Sequence, residues 1–199
     1  MSDSKGQSNR APRIEPLDHF DDAQSEILAK TVLDDGPPLN VFRTMVRHTR
    51  LAKRVNVLAG LFLTSTHVGE RARELVILRT AWRARAEYEF AHHLDIAYAA
   101  GLDDHDVKRL RMPGAKGWEA ADAALVRFAD ELHESADVTD TTWHEVAESY
   151  TDEAMMELVF LGGFYRTLGG FMNAMRLDLE EPWQSIMDDY FGSETTSEE

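Results

Sequence analysis

The sequence predicts an all-α bundle, on three observations. Apolar residues recur at helical rather than alternating spacing from Asp18 onward, turn signals punctuate that pattern, and no run reads convincingly as a strand. The turn signals are Asp35-Gly36-Pro37-Pro38, Gly69, Gly101, Met112-Pro113-Gly114 and Glu181-Pro182. They delimit helices at about 20–34, 40–48, 50–65, 70–84, 87–100, 103–110, 118–135, 140–149, 152–167 and 169–178. Ser65-Thr66, Asp103 and Thr151-Asp152 read as helix entries, because short polar side chains accept from the free amides of a first turn. Phe42, Met45, Leu58, Phe62, Phe160, Phe164, Phe171 and Met172 sit at helical spacing and read as core. Gly162-Gly163 and Gly169-Gly170 lack the strand and spacing of a phosphate loop and read as close helix contacts or turns.

The chain has 199 residues, of which 43% are hydrophobic and 9% aromatic, enough for one domain with a real core. That domain is expected to span 14–191, between polar tails at 1–13 and 192–199 that should be disordered. With 29% charged residues and no apolar run long enough for a bilayer, a soluble protein without a membrane partner is expected. The polar start MSDSKGQSNRAPR lacks a secretory apolar stretch, which makes the cytoplasm the default location. A formal charge of −15 argues against nucleic acid as a partner. A local concentration of positive charge, from Arg43 to Arg85, reads as a solvated face or subunit interface, or alternatively as an attractor of an anionic small-molecule substrate. The absence of cysteine removes disulfides, thiolate metal ligands and every sulfenate mechanism.

Sliding the chain on itself by 83 residues lays Glu74-Leu75-Val76-Ile77-Leu78 on Glu157-Leu158-Val159-Phe160-Leu161, then Trp82-Arg83 on Tyr165-Arg166 and Tyr88 on Phe171. This register is that of a degenerate internal repeat of a helical-hairpin unit. The copies differ at Glu89 and His93, which become Met172 and Arg176. On the helix at 87–100, Glu89 and His93 are one turn apart on an otherwise apolar stripe and so should point inward together. On the preceding helix Glu74 shares a stripe with Ile77, Leu78 and Ala81, while Arg73, Thr80 and Arg83 fall on the side expected to face water. Two acids and a histidine converging in an apolar bundle meet the conditions for proton transfer, since burial and neighbouring charge shift their pKa values. A structural buried pair that fixes helix register is the competing reading. A metal site is not expected, because one histidine with two acids is a weak ligand signature. Tyr88 and His92 lie to the side of the pair and take no main role in proton transfer.

The stretch Glu70-Arg-Ala-Arg-Glu-Leu-Val-Ile-Leu-Arg-Thr-Ala-Trp82, followed by Ala86-Glu-Tyr-Glu-Phe-Ala-His-His93 and Ala99-Ala-Gly-Leu102, resembles carboxymuconolactone decarboxylase family proteins over roughly residues 38–180. The resemblance implies an AhpD-like helical bundle. In the alkylhydroperoxidase D branch the pattern is a glutamate, two cysteines and a histidine; Glu74 and His93 match the first and last, and the cysteine positions fall on Ala86 and Glu89. Thiol peroxidase activity is therefore not expected. The decarboxylase branch, to which Glu87-Tyr88-Glu89-Phe90 and the following histidine are more similar, implies a cofactor-free enzyme, a homotrimer or homohexamer, acting on a small unsaturated lactone or ketoacid. On that reading His93 is the proton donor or oxyanion stabiliser, Glu89 orients and charges it, and Glu74 is an additional acid/base. Arg79, Arg85, Trp82 and Tyr88 are the candidate substrate-binding residues. Another acid/base reaction on the same scaffold (hydrolysis, dehydration or isomerisation) and a noncatalytic binding or assembly role remain open alternatives. The amphipathic segment 183–191 suits either an arm on a neighbouring subunit or a return onto its own core.

Overall fold

The computed structural model describes residues 11–31, 36–65 and 67–191, and these are all-helical, with no strand among them. The helices are α1 (Asp22–Leu28), α2 (Asn40–Met45), α3 (Thr49–Thr64), α4 (Glu70–Arg83), α5 (Glu87–Ala99), α6 (Asp104–Leu110), α7 (Ala120–Ser135), α8 (Asp140–Ala147), α9 (Asp152–Met175) and α10 (Trp183–Phe191). None is long and apolar enough to cross a membrane. Most of the two expected tails, 1–10 and 192–199, lies outside the described residues, as do 32–35 within the first expected helix. Arg13, at the edge of the expected N-terminal tail, is tied down: its backbone N–H donates to Met175 O at 2.9 Å and its guanidinium to Ala174 O at 3.0 Å.

The chain divides into two compact units, Thr64–Phe171 and the segments Met1–Leu63 with Met172–Glu199. In the latter unit α1 opens on a capping box between Asp21 and Gln24. The start of α2 is held by Asn40, whose amide donates to Glu180 at 2.6 Å and whose side chain donates to Asp178 O at 2.9 Å. Met187 of α10 is buried within the single chain, as a return of this segment onto its own chain requires.

The unit Thr64–Phe171 is organised round α4, which packs on α5, α6 and α7. Every residue from Ala72 to Ala81 is buried, so this helix has no wet side. Arg73 and Thr80, expected to face water, are therefore inside, and of that predicted stripe only Arg83 reaches solvent. Asp103 caps α6 in a reciprocal box with Asp106, and Thr151 accepts from Ala154 N at 3.4 Å at the start of α9, as their residue types suggest. Ser65 does not cap α4, whose N-cap is Gly69; its hydroxyl donates instead to the Glu157 carboxylate. Phe160, expected in the core, is 66% exposed, because it lies on the outer face of α9 with Met156.

Helix α9 runs unbroken from Asp152 to Met175, where the sequence predicts two helices parted before Gly169. The second copy of the repeat thus forms one helix where the first forms α4, a corner and α5. The glycines serve contact rather than a break. A methyl group at Gly169 would lie 2.8 Å from Ala86 Cβ and 3.7 Å from Ala84 Cβ, so the absent side chain admits the α4–α5 corner. One at Gly162 would meet Leu132 Cδ2 at 2.8 Å. Alanine would favour the helix by up to about 1 kcal/mol, but at Gly169 it collides with atoms fixed to backbone, whereas at Gly162 it meets the end of a flexible side chain. Gly169→Ala is expected to lower stability by ~1–3 kcal/mol and Gly162→Ala by less, as read from urea unfolding midpoints; equal midpoints for both variants and the wild type would refute the contact role.

Candidate active site

The α4–α5 corner sets the geometry. Ala86 N donates to Ala81 O and Arg85 N to Trp82 O, which is the Schellman pattern, and it turns on Arg85 at φ 50° where glycine is usual. No side chain caps α5. Glu87 and Glu89 lie in its first turn, where the helix dipole favours negative charge. The short corner lays α5 back against α4, and so brings Glu89 and His93 opposite Glu74.

His93 sits between the two acids. Its Nδ1 is 2.7 Å from Glu74 Oε2 and its Nε2 is 3.3 Å from Glu89 Oε1. The other oxygen of Glu74 accepts from Arg73 Nε at 2.8 Å. The other oxygen of Glu89, Oε2, is buried and has no hydrogen-bond partner among the described residues. Tyr165, from α9, meets the His93 ring edge-on with centroids 5.1 Å apart. All three are buried: Glu74 is fully so, and Glu89 and His93 keep 4% and 8% of their exposure.

Charge follows from this geometry. Burial by itself opposes a charged ring, but the hydrogen bonds and charges of Glu74 and Glu89 outweigh it and raise the His93 pKa to about 9. Burial likewise opposes ionisation of Glu74, and the contacts with His93 and Arg73 overcome it, so its carboxyl titrates below the usual range. The Tyr165 phenol goes the other way: burial and then the charges of Glu89 and Glu74 push it well above its ordinary value. With Arg73 and His93 positive and the two carboxylates negative, the cluster is close to neutral overall, which is what a buried set of ions requires.

Glu74, Glu89 and His93 are thus brought together, while the candidate substrate-binding residues are dispersed. Arg79 requires a correction. It is 1% exposed, and four of its five N–H donors are committed, two to Asp130 at 2.6 Å each and two to the carbonyls of Leu110 and Met112. It locks α4 to α7 and to the end of α6 and has no fork left for a substrate carboxylate. Arg85 occupies the exposed corner. Trp82 packs 6.0 Å from Phe90 with Arg111 over its ring at 5.2 Å, and Tyr88 is buried against His92 at 4.6 Å. The basic stretch is largely spent on internal pairs, Arg43 with Asp18, Arg71 with Asp106 and Asp122, and Arg83 with Asp130. Among the described residues no group of three or more His, Asp or Glu is placed to hold a metal ion; both His93 nitrogens already face carboxylates.

Sequence reasoning missed Arg73 and Tyr165. Arg73 follows only from knowing that α4 is buried all round. Tyr165 carried a signal, since the repeat lays it on Trp82, but nothing in the register says that it returns to the first copy's histidine.

No family model matches the sequence, and no curated protein sequence matches it. Solved structures do. A cysteine-to-alanine variant of the debrominase Bmp8, in complex with 2,3,4-tribromopyrrole, superposes with a TM-score of 0.75 at 19% identity, over 92% of this chain and 98% of that one. The alkylhydroperoxidase AhpD core protein of Ralstonia eutropha JMP134, an uncharacterized peroxidase-related protein, gives 0.72 at 15% identity over 82% and 88%. An uncharacterized peroxidase-related protein of Silicibacter sp. TM1040 gives 0.74 at 12% identity over 88% and 97%. The chain has the AhpD-like fold. In this AhpD-like frame, the positions that the sequence resemblance assigns to thiols hold Ala86, at the start of α5, and Glu89. The first is packed against Gly169, and the second offers a carboxylate to His93.

Two measurements follow. The His93 ring is expected to stay an imidazolium by NMR until pH approaches about 9, and Glu74→Gln is expected to bring that titration down; a ring already neutral at neutral pH would contradict the pairing. Because the folded pKa lies above the ordinary 6.5, the stabilisation from this group is fully present below about 6.5 and is lost as pH rises through about 9. Arg79→Met is expected to cost ~3–5 kcal/mol in chemical unfolding, since it takes the bidentate partner from Asp130, leaving it only Arg83, and the donor from the carbonyls of Leu110 and Met112. A cost under ~1 kcal/mol, the usual worth of an exposed pair, would show that Arg79 is not a lock.

Proposed function

We propose that the chain is a cofactor-free acid/base enzyme acting on a small unsaturated lactone or ketoacid, with Glu89 and His93 as its catalytic residues. The observation that carries this reading is the unpartnered Oε2 of Glu89, on a carboxylate whose other oxygen faces a charged imidazole. An unmatched buried acceptor beside a charged ring supports a group that is completed by a ligand or water, because leaving that atom desolvated costs about 1–3 kcal/mol. The AhpD-like fold, which an enzyme named as a debrominase shares, is compatible with the reading.

In a decarboxylation, the C–COO⁻ bond breaks, its electron pair moves through the conjugated system onto the carbonyl oxygen as an enolate, CO₂ leaves, and carbon then takes a proton. His93 Nε2 supplies that proton, directly or through Glu89, and regains it from water. Glu74, sealed and held by Arg73, is the positioning residue: it fixes the ring and keeps it charged. This exchanges the roles that the resemblance implies for the two acids, on the support that Glu74 holds the ring at 2.7 Å while Glu89 keeps an oxygen without a partner among the described residues. The exposed Met156 and Phe160 on α9 support assembly into a homotrimer or homohexamer, which would cover them.

His93→Ala and Glu89→Gln are each expected to lower turnover about 10²-fold or more, in a screen of unsaturated lactones and ketoacids that follows CO₂ release and solvent proton exchange separately. Turnover unchanged in both variants would sink the assignment.

A further inference from the structure

Helices α3 and α9 each leave one stripe uncovered, and the two stripes match. On α3 it runs through Lys53, Arg54, Val57 and Leu61, all exposed, with Val57 at 72% and Leu61 at 50%. On α9 it runs through Asp152, Glu153, Met156 and Phe160, all exposed, with Met156 at 59% and Phe160 at 66%. At 3.6 residues per turn each set falls within an arc of about 100° and so forms one strip. The spacing is the same in both: two adjacent charges, an apolar residue three positions on, and another a turn later. The signs of the charges are opposite. Unlike Arg43, Arg71, Arg79 and Arg83, which are spent on internal pairs, none of these four charged groups is in an ion pair among the described residues. Lys53 adds only a longer-range pull on Glu26, and Glu153 is bonded to the Thr151 side chain and drawn by His67.

Large apolar side chains exposed to this degree beside unpaired charge mark a contact surface, and its chemistry specifies the occupant. The α3 strip calls for acids set one turn before two large apolar side chains, and α9 carries that set. An anionic lipid surface would offer negative charge too, but it repels a chain of net charge −15. We propose that α3 of one copy packs parallel and level against α9 of the next, with Lys53 and Arg54 facing Asp152 and Glu153, Val57 facing Met156 and Leu61 facing Phe160. The opposed charges fix the register, and the apolar pairs supply the burial. Because the contact joins two different faces it is heterologous, and it repeats from copy to copy until a ring closes. The inference rests on the assembly reading above, to which it gives the faces that meet, and not on the acid/base reaction.

Sedimentation velocity on the whole chain reads the contact, and the wild type is expected to be a closed oligomer. Reversing one strip, by Lys53→Glu with Arg54→Glu or by Asp152→Lys with Glu153→Lys, is expected to raise the dissociation constant by about 10-fold or more, because like charges then face each other. Combining the four substitutions in one chain is expected to restore assembly, which damage to either helix by itself would not do. Val57→Ser with Leu61→Ser, at exposed positions, is expected to give the same loss without touching charge, and it stands by itself should the reversal at the start of α9 fail to fold by circular dichroism. A wild-type oligomer that neither reversal weakens, or a combined variant no better assembled than the single-strip reversals, overturns the α3–α9 contact and leaves the assembly reading in place. A monomeric wild type overturns both. Its co-sedimentation with phosphatidylserine vesicles, lost in Lys53→Glu with Arg54→Glu, would assign the α3 strip to lipid instead.

Discussion

Helix α4 is buried on every side and yet carries Arg73, Glu74 and Arg79. Taking such groups out of water costs several kcal/mol each unless a partner of opposite charge is supplied with good geometry. The surrounding helices are arranged to supply them. Asp130 reaches in from α7 to the Arg79 fork, the ends of α6 offer carbonyls to the same guanidinium, and α5 presents His93 to Glu74. Each of these pairings is also a positional constraint, because a bidentate contact tolerates little rotation or sliding of one helix against another. The placement of α5, α6 and α7 round α4 and the neutrality of its charges are therefore one condition.

The candidate site is the part of this arrangement whose hydrogen bonds are incomplete. At one end Arg73, Glu74 and the Nδ1 of His93 satisfy one another; at the other Glu89 Oε2 is left without a partner among the described residues. The corner between α4 and α5 explains why the acid stands there. Ala86 packs on the bare face of α9 at Gly169, which allows α5 to start hard against that helix and puts Glu89 in its first turn. A fold shared with solved structures of peroxidase-related proteins thus presents a carboxylate and an imidazolium, with no cysteine anywhere in the chain. Fold and chemistry are separable here, because the chemistry resides in a few side chains at one corner.

Much of this was legible in the residues. Helical periodicity located the elements, since a 3.6-residue pattern is a local property, and the one-turn spacing of Glu89 and His93 placed them on a shared face. Periodicity failed where its premise failed. It assigns a wet side to every helix, and α4 has none, so the pattern sets Arg73 and Thr80 facing water where both are buried. It also parts 152–167 from 169–178, although a glycine that admits a close helix contact, one of the two readings for Gly169-Gly170, and one that ends a helix look alike until the neighbour that needs the space is known. Phe160 erred in the other direction: an apolar residue at helical spacing implies an apolar face, and says nothing about what covers it.

By itself, the sequence determined the all-helical class, the absence of thiol chemistry, the register of the repeat and the pairing of Glu89 with His93, because composition and near-neighbour spacing suffice for each. Only the tertiary structure decided that Glu74 is held by Arg73 while Glu89 keeps an oxygen without a partner among the described residues, that Arg79 is a lock between helices, and that Tyr165 returns from α9 to the first copy's histidine. Those facts depend on burial and on contacts between residues distant in the chain. Whether a charge is exposed, paired or left open to a ligand is a property of everything packed around it.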